Sequence, residues 1–345
     1  MYNVSAIIQD YLSSTEHNLK NKKELFQRLK VALRIKVKSA KSLLKPKLMK
    51  TKTYILILFL CSTFIVFSQK DVDTIPQLDL YKIALINQTD SYITFPTDIG
   101  NIESLMFEAN VNPSFVIRKR KDSKLMALLT PQITIRMYNE DSYPVRTPSY
   151  IPQVSFYYLA NKEENLNYLV LFGKIAHYSN GQDGGFYNDE NSINLQSGNF
   201  ATNFIEFGFL KTAYSNRLKA IKTIKSSVEF HPKSWMLQEM KGRYSGLRWH
   251  NSFTSFKFPL KNDEMKRANF SLKAETTLML DNYNNLDVFD LDRFNASLTF
   301  YYHPKFLEDI GLFVQFYHGM DYYNIYFEHQ LSIIRFGIMT EILRF

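Results

Sequence analysis

The chain has 345 residues, a formal net charge of +9, one cysteine and an aromatic content of 15%. Its basicity is confined to the start: residues 1–68 hold 13 Lys and Arg against 3 Asp and Glu, a balance of +10 that leaves −1 for residues 69–345. This removes the electrostatic argument for nucleic-acid binding by the bulk of the chain. Because the single cysteine, Cys61, lies in the leader, cysteine nucleophiles, thiolate metal sites and disulfides are excluded from everything after it.

In chain order, the cationic stretch Met49-Lys50-Thr51-Lys52 precedes an apolar run over 54–67, the layout of a secretory signal. Val66 and Ser68 stand at the −3 and −1 positions of a cleavage site before Gln69. The run is too short for a good membrane-spanning helix. Leu60, before Cys61, is too large for a lipoprotein cleavage motif. Residues 1–48 read as an extension upstream of a natural initiator at Met49, residues 49–68 as the signal, and residues 69–345 as one domain.

That domain reads as strands throughout, with no helix expected. Residues 268–275 alternate apolar and polar side chains, and so do residues 294–300. Strands are expected near 84–96, 103–119, 124–138, 150–160, 166–179, 199–213, 219–231, 243–258, 267–281, 291–302, 309–320 and 324–345, about twelve in all. In the last of them the apolar parity shifts near Ile333-Ile334, where a bulge is expected. An antiparallel sandwich shares the two-residue period. An export signal, a mature part without disulfides, Tyr and Phe near strand ends, and a final Phe345 favour an all-β, single transmembrane antiparallel β-barrel.

The most informative stretch is His177-Tyr178-Ser179-Asn180-Gly181. On a strand, His177 and Ser179 project from one face, a workable base and nucleophile that need a third group to orient the imidazole. Their face also carries Leu169, Leu171, Gly173 and Ile175, so in a barrel the pair looks out toward lipid. The plainer reading is that the two side chains satisfy each other at a strand end before an Asn-Gly hairpin turn. On the following strand, Asn199, Ala201, Asn203, Ile205, Phe207 and Phe209 share a face, and Glu206 lies on the other. Asn199, at the rim, is the expected orienter, with Asn203 as the rival on the same face. A neutral amide suits this place, because a carboxylate beside lipid is costly.

These residues resemble the outer membrane phospholipase A family. The His-x-Ser-Asn-Gly run at 177–181 is similar to its catalytic signature, and Ser197-Gly198-Asn199 to its Ser-Trp-Asn run. The segment from Ser142 to Gln153, Ser-Tyr-Pro-Val-Arg-Thr-Pro-Ser-Tyr-Ile-Pro-Gln, resembles a second family motif, Ser-Ser-Pro-Phe-Arg-Glu-Thr-Asn-Tyr-Glu-Pro-Gln, in the correct order. The resemblance implies a calcium-dependent hydrolase of phospholipid acyl esters in the bacterial outer membrane, active as a homodimer. It makes Ser179 the nucleophile, His177 the base, Asn199 the orienter and the Gly181 N–H an oxyanion donor. Calcium would take the Gln182 carbonyl and the Ser142 hydroxyl of the second subunit. The pattern departs from the family at Gly198, Phe200 and Thr147, and the loop between Ser179 and Asn199 is about eight residues longer than the family's, beyond the usual length of a strand connection. Asp183, Asp189 and Glu190 are the acids available in that loop, and Arg146 reads as a loop anchor. Two other readings remain: a lipid A deacylase-type esterase, whose barrels of about eight strands this chain overfills, and a non-enzymatic porin or structural barrel.

Overall fold

The computed structural model describes residues 78–119, 123–163, 167–258, 268–287 and 290–340. The leader with its cleavage site, residues 1–48 and Phe345 lie outside the described residues.

Fourteen strands form among the described residues: β1 (Tyr92–Thr94), β2 (Ile99–Gly100), β3 (Leu105–Val111), β4 (Phe115–Lys119), β5 (Leu125–Tyr138), β6 (Ser149–Glu163), β7 (Asn167–Ser179), β8 (Ala201–Ser215), β9 (Ala220–Phe230), β10 (Leu247–Lys257), β11 (Phe270–Met279), β12 (Phe294–Tyr302), β13 (Ile310–Met320) and β14 (Gln330–Thr340). Twelve of them close a ring in the order β1, β3, then β5 through β14, with β14 pairing back onto β1. Every pairing is antiparallel, which makes the fold the twelve-stranded barrel expected from the alternation. The short β2 sits on β14, and β4 sits on β5.

Three details differ from the sequence reading. The expected strand at 84–96 begins as a helix, α1 (Leu80–Ile86), and only Tyr92–Thr94 enter the ladder. Asp79 caps α1 by accepting the Lys82 N–H at 2.9 Å, and Leu80, Ile83, Ala84 and Ile86 are buried at near-helical spacing. The expected strand at 103–119 splits into β3 and β4 around Pro113, which has no N–H to give a ladder. No bulge occurs at Ile333-Ile334: β14 keeps register with β13, and its inward positions Leu331, Ile333, Arg335, Gly337 and Met339 simply mix apolar and charged side chains.

The barrel is apolar outside. Leu171, Ile175, Phe207, Ile224, Phe253 and Phe316 are exposed on its outer face, a continuous surface of a kind that soluble monomers avoid. Exposed aromatics stand toward both ends, Tyr150, Trp235 and Trp249 at one and Tyr158, Phe270 and Tyr302 at the other. None of the described helices is long and apolar enough to cross a membrane.

Inside, α1 fills one end of the lumen, packing against Met126, Leu128, Tyr157, Val170, Leu210 and Ile221. Loop residues fill the other, where Phe186, Phe200, Met240, Tyr244, Ile325 and Phe327 cluster against Tyr178 and Phe204. The middle is ionic. Glu206 bridges Lys174 and Lys225 at 2.8 Å each, behind β7 to β9. Arg136 donates to Glu108 at 2.7 Å and makes a two-pronged contact with Asp321 at 2.7 and 2.8 Å. Glu108 also accepts from Arg335, Tyr92 and Tyr322.

The Glu108 network sits where the ring is weakest, because β1 offers only three residues of ladder between β14 and β3. Two buried guanidiniums meet on that carboxylate; Arg136 keeps Asp321 without it, but Arg335 would keep only Asp98, 3.8 Å away, so Glu108→Ala leaves positive charge in the lumen poorly paired. The expected cost is about 3–5 kcal/mol. Denaturant unfolding in micelles checks it, with Glu103→Ala, at an exposed carboxylate, as the control.

Candidate active site

The site is set by the pairing of β7 with β8. Their ladder places Ser179 opposite Ala201, His177 opposite Asn203, and Ile175 opposite Ile205. Burial alternates along β7: Tyr168, Val170, Phe172, Ala176 and Tyr178 are buried, whereas Leu171, Ile175 and His177 are exposed and Ser179 is half-buried. His177 and Ser179 therefore share the outer face, about 7 Å apart along the strand from Cα to Cα.

The asparagine in contact with His177 is Asn203, not Asn199. His177 Nδ1 lies 2.8 Å from Asn203 Oδ1. Asn199 falls before β8 begins and gives its main-chain N–H to the Gly184 carbonyl at 3.0 Å. Continued past its end, the ladder would set Asn199 beside Gly181, a turn away from the imidazole. The Ser-x-Asn spelling at 197–199 is misleading because the long loop folds back on itself, with Gly184 bridged to Gly198, and shifts the strand start to Ala201. Pairing register was the signal that could have found Asn203, since the partner of His177 must face it across the ladder.

Asn180 has a different task. It is fully buried; its Nδ2 donates to the Gly198 carbonyl at 2.7 Å, and its Oδ1 accepts the Phe200 N–H at 3.0 Å and the Gln182 N–H at 3.3 Å. The side chain thus staples both ends of the loop that follows Ser179. Gly181 then turns with φ +66°, and a Cβ there would sit 3.2 Å from the Tyr150 ring, so both conformation and space call for glycine.

The second family-like segment forms the neighbouring loop and the start of β6, with Tyr150 opposite Ser179. Ser142 is exposed on a turn where it and Tyr143 have φ of +68° and +47°. Arg146 anchors this loop: it pairs with Glu140 and Glu103, and its guanidinium lies 4.4 Å from the centre of the Tyr138 ring. Gln182 is half-buried and Asp183 exposed. Asp189 and Glu190 occupy an exposed turn, where Asn188 Oδ1 accepts the Glu190 N–H at 3.1 Å. Among the described residues no group of three or more His, Cys, Asp and Glu is arranged to hold a metal ion.

Beside the His177–Asn203 pair, Leu129, Pro152, Val154, Ile175, Ala176 and Trp235 line an open apolar groove on the outer face. A histidine–serine contact does exist on the opposite side of the ring, His318 Nδ1 to Ser332 Oγ at 2.6 Å. There the serine occupies the nitrogen that an orienter would need, which is the arrangement of two polar groups satisfying each other. At His177 that nitrogen goes to an amide instead.

The barrel is similar to that of Salmonella typhi outer membrane phospholipase, solved as a dimer with bound calcium, with a TM-score of 0.50 at 11% identity over 74% of this chain and 91% of that one. The fold is that of outer membrane phospholipase A. The Escherichia coli enzyme gives a TM-score of 0.48 at 10% identity, over 74% of this chain and 93% of its own. No family profile and no curated protein matches the chain by sequence.

The Asn180 staple provides a test of the loop's architecture that is independent of any activity. Asn180→Ala leaves the Phe200 N–H and the Gly198 carbonyl without their partner. It should destabilise the folded barrel by about 1–3 kcal/mol, read as a lowered unfolding midpoint in micelles.

Proposed function

We propose that the chain is an outer-membrane phospholipase that hydrolyses phospholipid acyl esters from the outer face of its barrel. The observation that carries this reading is the 2.8 Å contact between His177 Nδ1 and Asn203 Oδ1, made on an apolar outer surface with Ser179 on the same face. With Nδ1–H donated to the amide, Nε2 keeps its lone pair and takes the Ser179 proton as Oγ attacks the ester carbonyl. The acyl C–O bond breaks, the departing lyso-phospholipid alkoxide takes that proton from the imidazole, and water then releases the fatty acid from Ser179. The Gly181 N–H, two residues past the nucleophile, would stabilise the oxyanion.

An apolar outer belt, aromatics toward both ends and a site at the long-loop end all suit an outer-membrane barrel whose active centre lies near the outward-facing rim. A lumen filled by α1 at one end and loop side chains at the other favours this reading over a porin.

Calcium suits the oxygen donors near the site. The Gln182 main-chain carbonyl follows Gly181 directly, Asp183 is exposed beside it, and Ser142 presents its hydroxyl on a projecting turn. Such donors in one chain make a partial set, which Ser142 of the partner subunit would extend in a homodimer. When bound, the ion adds positive charge next to the oxyanion. This chain's own residues fix Gly181 through the Asn180 staple and hold the imidazole through Asn203.

Ser179→Ala and His177→Ala should abolish hydrolysis of phospholipid in mixed micelles while the heat-modifiable folded band persists on gels. Asn203→Ala should be milder, losing about 10- to 100-fold in kcat, because the orienter assists a step that it does not perform. Asn199→Ala should stay within about twofold of the parent. Equal activity of Ser179→Ala and the parent would dismiss the reading. Chelation should lower both hydrolysis and cross-linked dimer, with both restored on adding calcium; full activity of a monomer in excess chelator would remove the metal and the partner from the mechanism.

A further inference from the structure

Asn203 has a second partner. Its Nδ2 donates to the main-chain carbonyl of Trp235 at 3.3 Å, on the side of the amide away from His177. This carbonyl is held in place. The Trp235 N–H closes a turn onto the Pro232 carbonyl at 2.8 Å, Met236 bridges to Thr202, and the Leu237 N–H donates to the Ala201 carbonyl at 3.2 Å. The segment 232–237 therefore runs along the first residues of β8 and is tied to it directly after Trp235, at Met236 and Leu237.

The chemistry of the two contacts differs. A carbonyl oxygen only accepts, so whichever end of the Asn203 amide faces Trp235 must be the NH2 end. That requirement turns Oδ1 toward His177. An amide oxygen only accepts as well, so the imidazole must carry its proton on Nδ1, which leaves Nε2 bare. With the amide reversed, two oxygens would face each other at Trp235, and the ring would be protonated on the nitrogen needed to receive the Ser179 proton. We propose that the Trp235 carbonyl is a positioning group that, through Asn203, selects the Nδ1–H tautomer of His177. No charged group takes part, which suits a relay on a lipid-facing surface where a carboxylate would be costly. The catalytic consequence rests on the function proposed above; the tautomer does not.

The test uses the whole protein in micelles, labelled with 15N-histidine, at a pH where the ring is neutral, with the His177 signals assigned through His177→Gln. The parent should show one tautomer, protonated on Nδ1. Pro232→Gly loosens the turn without touching any side chain of the site. It should give a mixture of tautomers and lower kcat by about tenfold, with KM nearly unchanged. Asn203→Asp keeps an acceptor for His177 but has none of the donors that Trp235 needs, so it should also lose kcat. If the imidazole were the only partner that mattered, the carboxylate would serve at least as well as the amide. Heat-modifiable mobility reports whether each barrel is folded. Parental kcat in Asn203→Asp, or an Nε2–H tautomer in the parent, overturns the proposal. Either tautomer result is read without hydrolysis, so it stands apart from the outcome for Ser179→Ala.

Discussion

The pairing register of β7 on β8 is the constraint on which the site depends. Side chains alternate with a period of two, so slipping β7 by one residue would turn His177 and Ser179 into the lumen and bring Tyr178 and Ala176 to the surface. The register is fixed from both sides of the sheet. Inside, Lys174 must meet Glu206 and Tyr178 must reach the loop residues around Phe200; outside, Ile175 and Phe207 must stay on the apolar surface. Because both faces demand the same alignment, His177 meets Asn203 as a consequence of how the barrel closes rather than as a local accident.

The filled lumen follows from the same alternation. A ring of twelve strands leaves an interior too large for aliphatic side chains alone. The chain meets this in three layers: an apolar plug around α1, an ionic middle around Glu108 and Glu206, and an aromatic cap drawn from the loops. The cap supports the active face from behind. The Tyr178 hydroxyl, on the strand between His177 and Ser179, donates to the Tyr322 carbonyl at 2.7 Å, and Asn324 reaches the Thr147 carbonyl in the neighbouring loop and Ser149 at the start of β6. Precise placement of the outer dyad is thus maintained by contacts on the inner side of the same strands, a rigid support of the sort that preorganised sites need.

Much of this was legible in the sequence, for identifiable reasons. Long alternating strands such as β7 and β12 declare themselves by period, and their outward faces follow directly. Short and mixed elements do not: α1 spans less than two turns, and β14 hides its inward face by placing Arg335 between Ile333 and Gly337. That His177 and Ser179 share the outer face was readable because they belong to one strand. The amide partner was not, because it depends on how a loop of about twenty residues returns to the sheet, and local spelling pointed to Asn199 where the ladder uses Asn203. The Trp235 carbonyl could not be read at all, since a main-chain group leaves no mark in sequence.

The central claim is that Ser179 is a serine activated by His177 on the barrel's outer face. Covalent capture by a long-chain fluorophosphonate, located by mass spectrometry of the digested protein, tests it most directly. The account expects one modified peptide, carrying the label on Ser179, and loss of labelling in His177→Ala with the barrel still folded. Labelling that bypasses Ser179, or that proceeds unchanged without His177, would contradict it.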